Sequence, residues 1–269
     1  MRDAGRSNAV GAPEARREAR LVELGTAKPV AGVPGPGRWL VVDYGATALF
    51  SLKISLATSS VGKTLIVPTP YAVKMAYVDG GFRAGWADAD CRAFLRALVD
   101  VEVRVAPPGD AVVTHTFVKV RQESRQGDPL RPYIASIAYR EVVHHRGMWQ
   151  WAFDLAGGDD WLAGRLVEAA PHVSYVGKRG SFIQFGGIAR RVELGSGFTQ
   201  PLDAGRQWAI PLRAHIAPLD DFGPEASLEV LSSFTETSPR RERHRRFVQT
   251  VIPIGLVNSG PGFSEYRAR

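Results

Sequence analysis

The sequence predicts an α+β fold, in which apolar strands and amphipathic helices share a large core. Its 269 residues are 45% hydrophobic and 9% aromatic, enough for one domain or two closely packed subdomains. An apolar run that begins at Trp39 is typical of a buried strand, and a sharply marked helix start follows at Thr69 and Pro70. Alternating strand patterns and a second helical region then follow between residues 101 and 185. This mixture of strand and helix periods favours the α+β class.

Two neighbouring helices are predicted after the first strand. Thr69 is a good N-cap and Pro70 fits the first helical position, while Gly80 and Gly81 are expected to end this first helix. Because it is apolar nearly all round, we expect it to lie in the core. Asp88 or Asp90 then caps a second, amphipathic helix. Its predicted buried face consists of Cys91, Phe94, Leu95 and Leu98.

The alternating run at residues 111–121 predicts a strand with two different faces. The face expected to point into the core consists of Val112, Thr114, Thr116, Val118 and Val120. The face expected to point outward carries Val113, His115, Phe117, Lys119 and Arg121. Basic and aromatic residues on a strand can bind phosphates and stack on bases, as in single-strand RNA binders. A plain solvated strand face is the alternative interpretation.

The predicted elements between about Ala46 and Phe185 follow the order strand, helix, strand, strand, helix, strand, with one added helix. The later members are strands at 101–105, 133–143 and 148–153 and a helix at 161–170. This order matches the ferredoxin-like (RRM-like) βαββαβ arrangement with an extra hairpin strand. The adjacent His144 and His145 are expected in a solvent-exposed turn rather than in a metal site, since no other ligands accompany them.

Two cationic segments lie outside the strand at 111–121. Lys178 and Arg179 stand between Gly177 and Gly180, where the backbone can approach a phosphate chain. Five arginines crowd into residues 240–246, which fits either a solvated face or an anion-binding patch. Further strands are predicted at 207–213, 228–235 and 247–256 in an otherwise loop-rich region.

Residues 57–64 match the permissive form of the phosphate-binding P-loop, with Lys63 as its lysine. A P-loop requires that its Gly-Lys-Thr open a helix, so that backbone amides converge on the phosphates. Here a β-branched, proline-bearing run follows Thr64, which disfavours a helical first turn. A P-loop nucleotide hydrolase is therefore kept as a minor alternative.

Composition narrows the class of protein further. The single cysteine, Cys91, excludes an intrachain disulfide and cysteine-rich zinc sites. No signal peptide or membrane-spanning run is evident, so a cytoplasmic protein without membrane contact is expected. The net charge of +7 favours polyanionic partners, and no metal or other cofactor is predicted. Residues 1–37, rich in Ala, Gly, Pro and Arg, are expected to form an extended tail outside the fold.

Three segments carry a resemblance to a known family. YGATALFSLKIS, followed by TLIVPTPYAVKMA, resembles the N-terminal signature of the CRISPR-associated RAMP proteins and is similar within them to the "Cas five" family. YVGKRGSFIQFGG resembles that family's glycine-and-cation segment. The likeness implies a RAMP domain at 38–190, with a β-hairpin thumb around 112–140. Residues 191–269, which lie beyond the likeness, are expected to form a β-rich, Gly/Arg-rich subdomain packed on this domain. The long tail and the C-terminal third depart from the compact form of the family.

The resemblance implies a non-catalytic RNA-binding subunit of a Cascade-like, crRNA-guided complex of type I or type IV. Such a subunit caps the crRNA 5′ handle, contacts the backbone and large subunits, and meets target DNA only indirectly. The residues assigned to RNA binding are Lys63, His115, Phe117, Lys119, Arg121, Arg125, Lys178 and Arg179, with Arg240, Arg241, Arg243, Arg245 and Arg246 as a second phosphate track.

Some relatives cut the crRNA precursor without a metal ion, which gives a second functional hypothesis. That chemistry needs a general base, an acid and an activated 2′-hydroxyl. His115, Lys119 and Tyr44 are the candidates in this chain. The spacing of the three residues does not itself place them together.

Overall fold

The computed structural model describes residues 38–54, 61–123, 130, 132–156, 160–202, 214–232 and 238–268. The predicted tail at 1–37, the predicted strand at 207–213 and the candidate Arg125 lie outside these residues. The fold is mixed α and β with mainly antiparallel sheets, as the α+β class predicts, and β2 alone among the described sheet strands pairs in parallel, with β5. Its elements are β1 (Trp39–Ala46), β2 (Val61–Gly62), α1 (Pro70–Arg83), α2 (Asp88–Leu98), β3 (Val103–Ala106), β4 (Asp110–Glu123), β5 (Tyr133–Arg146), β6 (Met148–Asp154), α3 (Asp160–Ala169), β7 (Ile183–Arg191), β8 (Gln200–Pro201), β9 (His215–Phe222), α4 (Leu228–Leu231), β10 (Arg245–Ile252), β11 (Ile254–Gly260) and β12 (Phe263–Ala268).

The first sheet has the strand order β3-β6-β1-β7, and β1 runs through its centre. Alternate side chains of β1 explain its position, because Leu40, Val42 and Tyr44 are all fully buried in the main core. The intervening Trp39 and Val41 are buried on the opposite face. Because the strand is buried on both faces from Trp39 to Val42, its first four residues are all apolar, and this run made β1 predictable.

Helix α1 begins where the sequence predicts, because the Thr69 hydroxyl accepts a hydrogen bond from the amide of Ala72 at 3.2 Å. The expectation that Gly80 and Gly81 end it is wrong, since the helix continues to Arg83. The glycines are needed for close packing instead. A Cβ on Gly80 would lie 3.0 Å from the carbonyl oxygen of Ala169, and one on Gly81 would lie 2.4 Å from the Trp86 ring.

We therefore expect Gly81→Ala to destabilise the protein although it improves helix propensity. Alanine gains about 1 kcal/mol over glycine within a helix, but overpacking a core typically costs about 1–3 kcal/mol. The matched control is Gly164→Ala in α3, where no atom lies within 4 Å of the added Cβ and the propensity gain should appear unopposed. Urea denaturation of both variants decides the point, and stabilisation by Gly81→Ala would contradict the packing argument.

The second sheet has the order β11-β12-β4-β5-β2, and β4 and β5 form its long central hairpin. The predicted orientation of β4 is wrong near the core. Val113, on the face expected to be exposed, is buried beside the fully buried Val143 of β5. Val112 and Thr114, on the face expected in the core, are only half-buried. The odd-numbered face therefore packs inward at the base of the hairpin and becomes exposed beyond it.

The C-terminal third differs most from the prediction. The segment expected as a strand at 228–235 begins as the short helix α4, and residues 233–237 lie outside the described part. The single strand expected at 247–256 is two strands, β10 and β11, on either side of Pro253. Strands β9 and β12, which the sequence did not indicate, pair with β10 and with β4 respectively.

Candidate nucleic-acid interface

The outer half of the β4–β5 hairpin carries four of the predicted RNA-binding residues. His115 is half-buried, whereas Phe117, Lys119 and Arg121 are exposed, with Phe117 at 73%. Ile137 pairs with Lys119 across the hairpin and is 72% exposed. The same face that is buried at Val113 thus extends beyond the core and presents apolar and cationic side chains to solvent.

Three aromatic rings form a row across this hairpin face. The ring centroid of Tyr139 lies 5.3 Å from that of His115 and 5.1 Å from that of Phe117. Register explains the arrangement, because Tyr139 of β5 lies directly opposite Phe117 of β4. Such a row is a platform on which unpaired bases can stack. Tyr139 was not among the residues predicted from sequence.

Glu141 is the buried residue that connects the hairpin to the segments beside it. One carboxylate oxygen lies 3.6 Å from Nδ1 of His115, its cross-strand partner. The other accepts a 2.9 Å hydrogen bond from the backbone amide of Thr64, next to the exposed Lys63. Lys53 is also exposed and bridges to Thr64. Two lysines therefore flank the anchored carboxylate, and of these only Lys63 was predicted from the sequence.

The glycine-and-cation turn at 177–180 is tied to the same region. The amide of Ser51 donates to the hydroxyl of Ser181 at 3.1 Å, while the hydroxyl of Ser51 donates to the carbonyl of Glu141 at 3.3 Å. Gly177 and Gly180 have φ values of +75° and +99°, which only glycine adopts readily. Lys178 and Arg179 are both exposed between them. The structure thus brings this turn, Lys53, Lys63 and the hairpin base into one surface.

No family model matches the chain, and no curated protein matches it. Among solved structures, it is similar to a CRISPR protein from Archaeoglobus fulgidus, with a TM-score of 0.44 and 10% identity over 86% of this chain and 92% of that one. It is also similar to a chain of a CRISPR RNA-guided surveillance complex, with a TM-score of 0.40 and 16% identity over 80% and 90% of the two chains. The Cas five assignment stays a prediction.

The arginines at 240–246 are largely engaged in ion pairs within the chain. Arg243 pairs with Glu225, Arg245 with Asp220, Arg246 with Asp221 and Arg241 with the adjacent Glu242, while Arg240 is exposed. Hydrogen bonding to Arg243 lowers the pKa of the Glu225 carboxyl, so this pair is charged at neutral pH. Carboxylates of this chain therefore already neutralise most of these cations, and the arginine patch carries less net positive charge than the sequence indicates. Its role as a second phosphate track stays a prediction.

The catalytic alternatives gain no support from the geometry. Tyr44 is fully buried, and its hydroxyl donates to the carbonyl of Ala170 at 2.8 Å. Burial raises its pKa well above the ordinary value. His115 and Lys119 are four residues apart on one strand, about 13 Å along it. The P-loop hypothesis also lacks its helix, because Gly62 lies in β2 and α1 begins only at Pro70. Residues 57–60 of that motif lie outside the described part.

The two adjacent histidines occupy opposite environments, and the prediction that both are exposed is wrong for His145. His144 is exposed, but His145 is buried against Phe50 and Trp149. Its Nε2 donates to the carbonyl of Ile66 at 2.7 Å, which fixes the neutral tautomer. Burial lowers its pKa to about 4.

We expect this histidine to make the protein less stable as the pH falls from about 6.5 to about 4. The unfolded state binds the proton in that window while the folded state does not, so protonation favours unfolding by up to about 3 kcal/mol. His145→Gln retains a donor for the Ile66 carbonyl and does not titrate. Urea denaturation at pH 7 and pH 4.5 should show a smaller loss for this variant than for the parent. Equal losses would mean that His145 does not carry the pH dependence.

Two further observations concern metals and membranes. Within the described residues, no group of three or more His, Cys, Asp and Glu side chains is arranged to hold a metal ion. The helices of that same part of the chain are too short or too polar to cross a bilayer.

Proposed function

We propose that this chain is a non-catalytic RNA-binding subunit of a CRISPR crRNA-guided surveillance complex and that it holds the 5′ handle of the crRNA. The observation that carries the proposal is the aromatic row on the β4–β5 hairpin, flanked by Lys119 and Arg121 and joined at its base to Lys63 and the 178–179 turn. A single strand needs stacking surfaces for its bases and cations for its phosphates, and this surface offers both. The sequence resemblance to the RAMP proteins supports the choice of crRNA.

The finer fold assignment is part of the same proposal. The strand order β7-β1-β6-β3, together with the element order strand, helix, strand, strand, helix, strand, supports a ferredoxin-like RAMP domain at 38–190. The β4–β5 hairpin is inserted between β3 and β6 and would be its thumb around 112–140. The β-rich part at 191–269 would form a subdomain packed on it. The last strand of that part, β12, pairs directly with β4 and so belongs to the sheet of the hairpin.

The proposed partners are the crRNA and the backbone and large subunits of the complex. Large apolar residues exposed on the outer part of the hairpin, including Tyr133, Ile134 and Ile137, support protein contacts beyond the RNA site. Target DNA would be recognised through base pairing with the guide and so would meet this chain only indirectly.

The proposal is tested by expressing the chain with its neighbouring genes, purifying it by a tag on this chain, and sequencing the ends of the bound nucleic acid. We expect a discrete RNA population with one constant 5′ segment and variable interiors. Absence of RNA from a folded assembly, or RNA with random ends, would contradict handle binding. If a mature RNA accumulates only when His115 is intact, the endoribonuclease alternative is favoured instead.

A further inference from the structure

A groove of about 790 Å³ runs along the face of α1, and it shares the turn at 177–180 with the surface at the base of the hairpin. One wall is formed by the turn that holds Tyr175 and Arg179, and the other by Leu228 and Glu229 of α4. Arg245 closes one end, where its guanidinium lies 4.6 Å from the ring centroid of Tyr71. The groove follows the helix from Tyr71 to Phe82, a length of about 17 Å.

The floor of the groove is an apolar stripe that the core leaves partly uncovered. Tyr71 and Met75 are half-buried, and Phe82 is 41% exposed. Their spacing of four and seven residues places them on one face of the helix. An exposed stripe of this length matches about three turns of a second helix packed along it.

The charges of the two walls differ, and they decide between RNA and protein as the occupant. On the α2–α4 side, Asp88 and Glu229 share the single cation Arg92, which leaves an excess of negative charge. On the other side Arg179 is exposed, and in the described part of the chain no carboxylate lies within ion-pair distance of it. A third carboxylate, Asp79, lines the floor. Asp79 is paired with Arg83, and the three carboxylates of the lining are matched in number by the cations Arg92, Arg179 and Arg245. The groove therefore offers a polyanion no excess of positive charge, and an apolar floor between walls of mixed charge favours a protein segment.

We propose that this groove binds an amphipathic helix of a protein partner. Its apolar stripe would cover Tyr71, Met75 and Phe82. One flank would carry a carboxylate that faces Arg179, and the other a Lys or Arg that faces Asp88 and Glu229. Arg179 belongs both to this groove and to the proposed RNA surface, whereas Tyr71, Met75, Phe82, Asp88 and Glu229 belong to the groove alone and the aromatic row to the RNA surface alone. The two proposals are therefore tested separately by photocrosslinking at Phe82 and by the variants of the aromatic row.

The test uses the full chain in the organism that encodes it, with p-benzoyl-L-phenylalanine in place of Phe82 and a tag for isolation. The same photoreactive residue in place of Trp161 is the matched control, because Trp161 of α3 is 43% exposed and lies outside the groove lining. After irradiation, mass spectrometry should identify an adduct with a segment of another polypeptide that has apolar residues at helical spacing and the two charged flanks. Arg179→Glu should lower the adduct yield at least fivefold, and reversing the partner's carboxylate should restore it.

Four outcomes would overturn the proposal: an adduct with RNA, an adduct with this chain itself, an adduct with a segment that lacks the helical apolar pattern, or a yield no greater than at Trp161. An adduct with residues 1–37 is an adduct with this chain itself and would also overturn the proposal. Bound RNA is quantified in the same preparation. An assembly that lacks RNA while the groove is occupied would contradict RNA binding alone. An assembly that holds RNA while the groove is empty would contradict the groove proposal alone.

Discussion

Replacing Asp221 with asparagine is expected to lower the free energy of unfolding by about 3–5 kcal/mol, because the variant leaves a buried ammonium group without its counter-ion. Lys74 of α1 is fully buried, and its Nζ lies 2.7 Å from Asp221 of β9. The same nitrogen donates to the carbonyl of Val99 at 3.3 Å and lies 5.3 Å from the ring centroid of Phe222. Few water molecules can replace the carboxylate at this site.

The partner variant, Lys74→Met, provides the comparison. Asp221 also binds Arg246, at 3.1 Å, so its carboxylate keeps a cation after Lys74 is removed. We therefore expect Lys74→Met to cost clearly less than Asp221→Asn. The double variant Lys74→Met/Asp221→Leu should recover much of the loss, because an apolar pair carries no desolvation penalty. Equal costs for the two single variants in urea denaturation would contradict this account.

The pH dependence gives an independent check on the same site. Burial lowers the pKa of Lys74 despite the attraction of Asp221. The unfolded state then binds the proton more tightly between the folded pKa and about 10.4, so this group makes stability rise with pH in that window. In Asp221→Asn the folded pKa should fall further. Raising the pH from 7 to 9.5 should therefore recover more stability in the variant than in the parent.

The sequence predicts elements whose signals are local. The capped start of α1, the buried face of α2 and the strands of the β4–β5 hairpin are each marked within a few residues by a cap, a helical period or an alternation. The elements that were missed depend on distant pairing. Strand β12 is identified by its register with β4, and β9 is held by β10 and by the Lys74–Asp221 pair. No local pattern encodes such partners.

The site was predictable in its residue types but not in its assembly. The alternation at 111–121 identifies two faces of a strand, yet only the position of the core decides which of them is buried. Val113 and Val143 pack inward, and the hairpin then extends past the core, so one face is buried at its base and exposed beyond it. Tyr139 and Glu141 join the site through cross-strand register, which a single strand's sequence does not reveal.

Removal of the aromatic row is expected to have the largest effect on RNA binding. Stacking contributes about 1–3 kcal/mol per base, so Phe117→Ala and Tyr139→Ala should each weaken the affinity for a constant-handle RNA about 5- to 150-fold. Both side chains lie on the half of the hairpin outside the core, so the fold should persist. Fluorescence anisotropy with a labelled single-stranded RNA, on the assembled complex, measures the change. Ile137→Ala is the matched control, because it removes an exposed apolar group from the same face without removing a ring.

Leucine at the two aromatic positions separates stacking from simple apolar contact. Leucine retains most of the apolar surface but has no π-face, so a stacking platform predicts that Phe117→Leu and Tyr139→Leu bind nearly as weakly as the alanine variants. If leucine restores binding, the hairpin contributes an apolar contact of the kind that also suits a protein partner.

Lys119→Gln should instead reduce the slope of log affinity against log salt by about 0.7, the value for one phosphate contact on a single strand. Parent-like affinity in both ring variants, with an unchanged salt slope, would remove the hairpin from the RNA site and leave it as a surface for a neighbouring subunit.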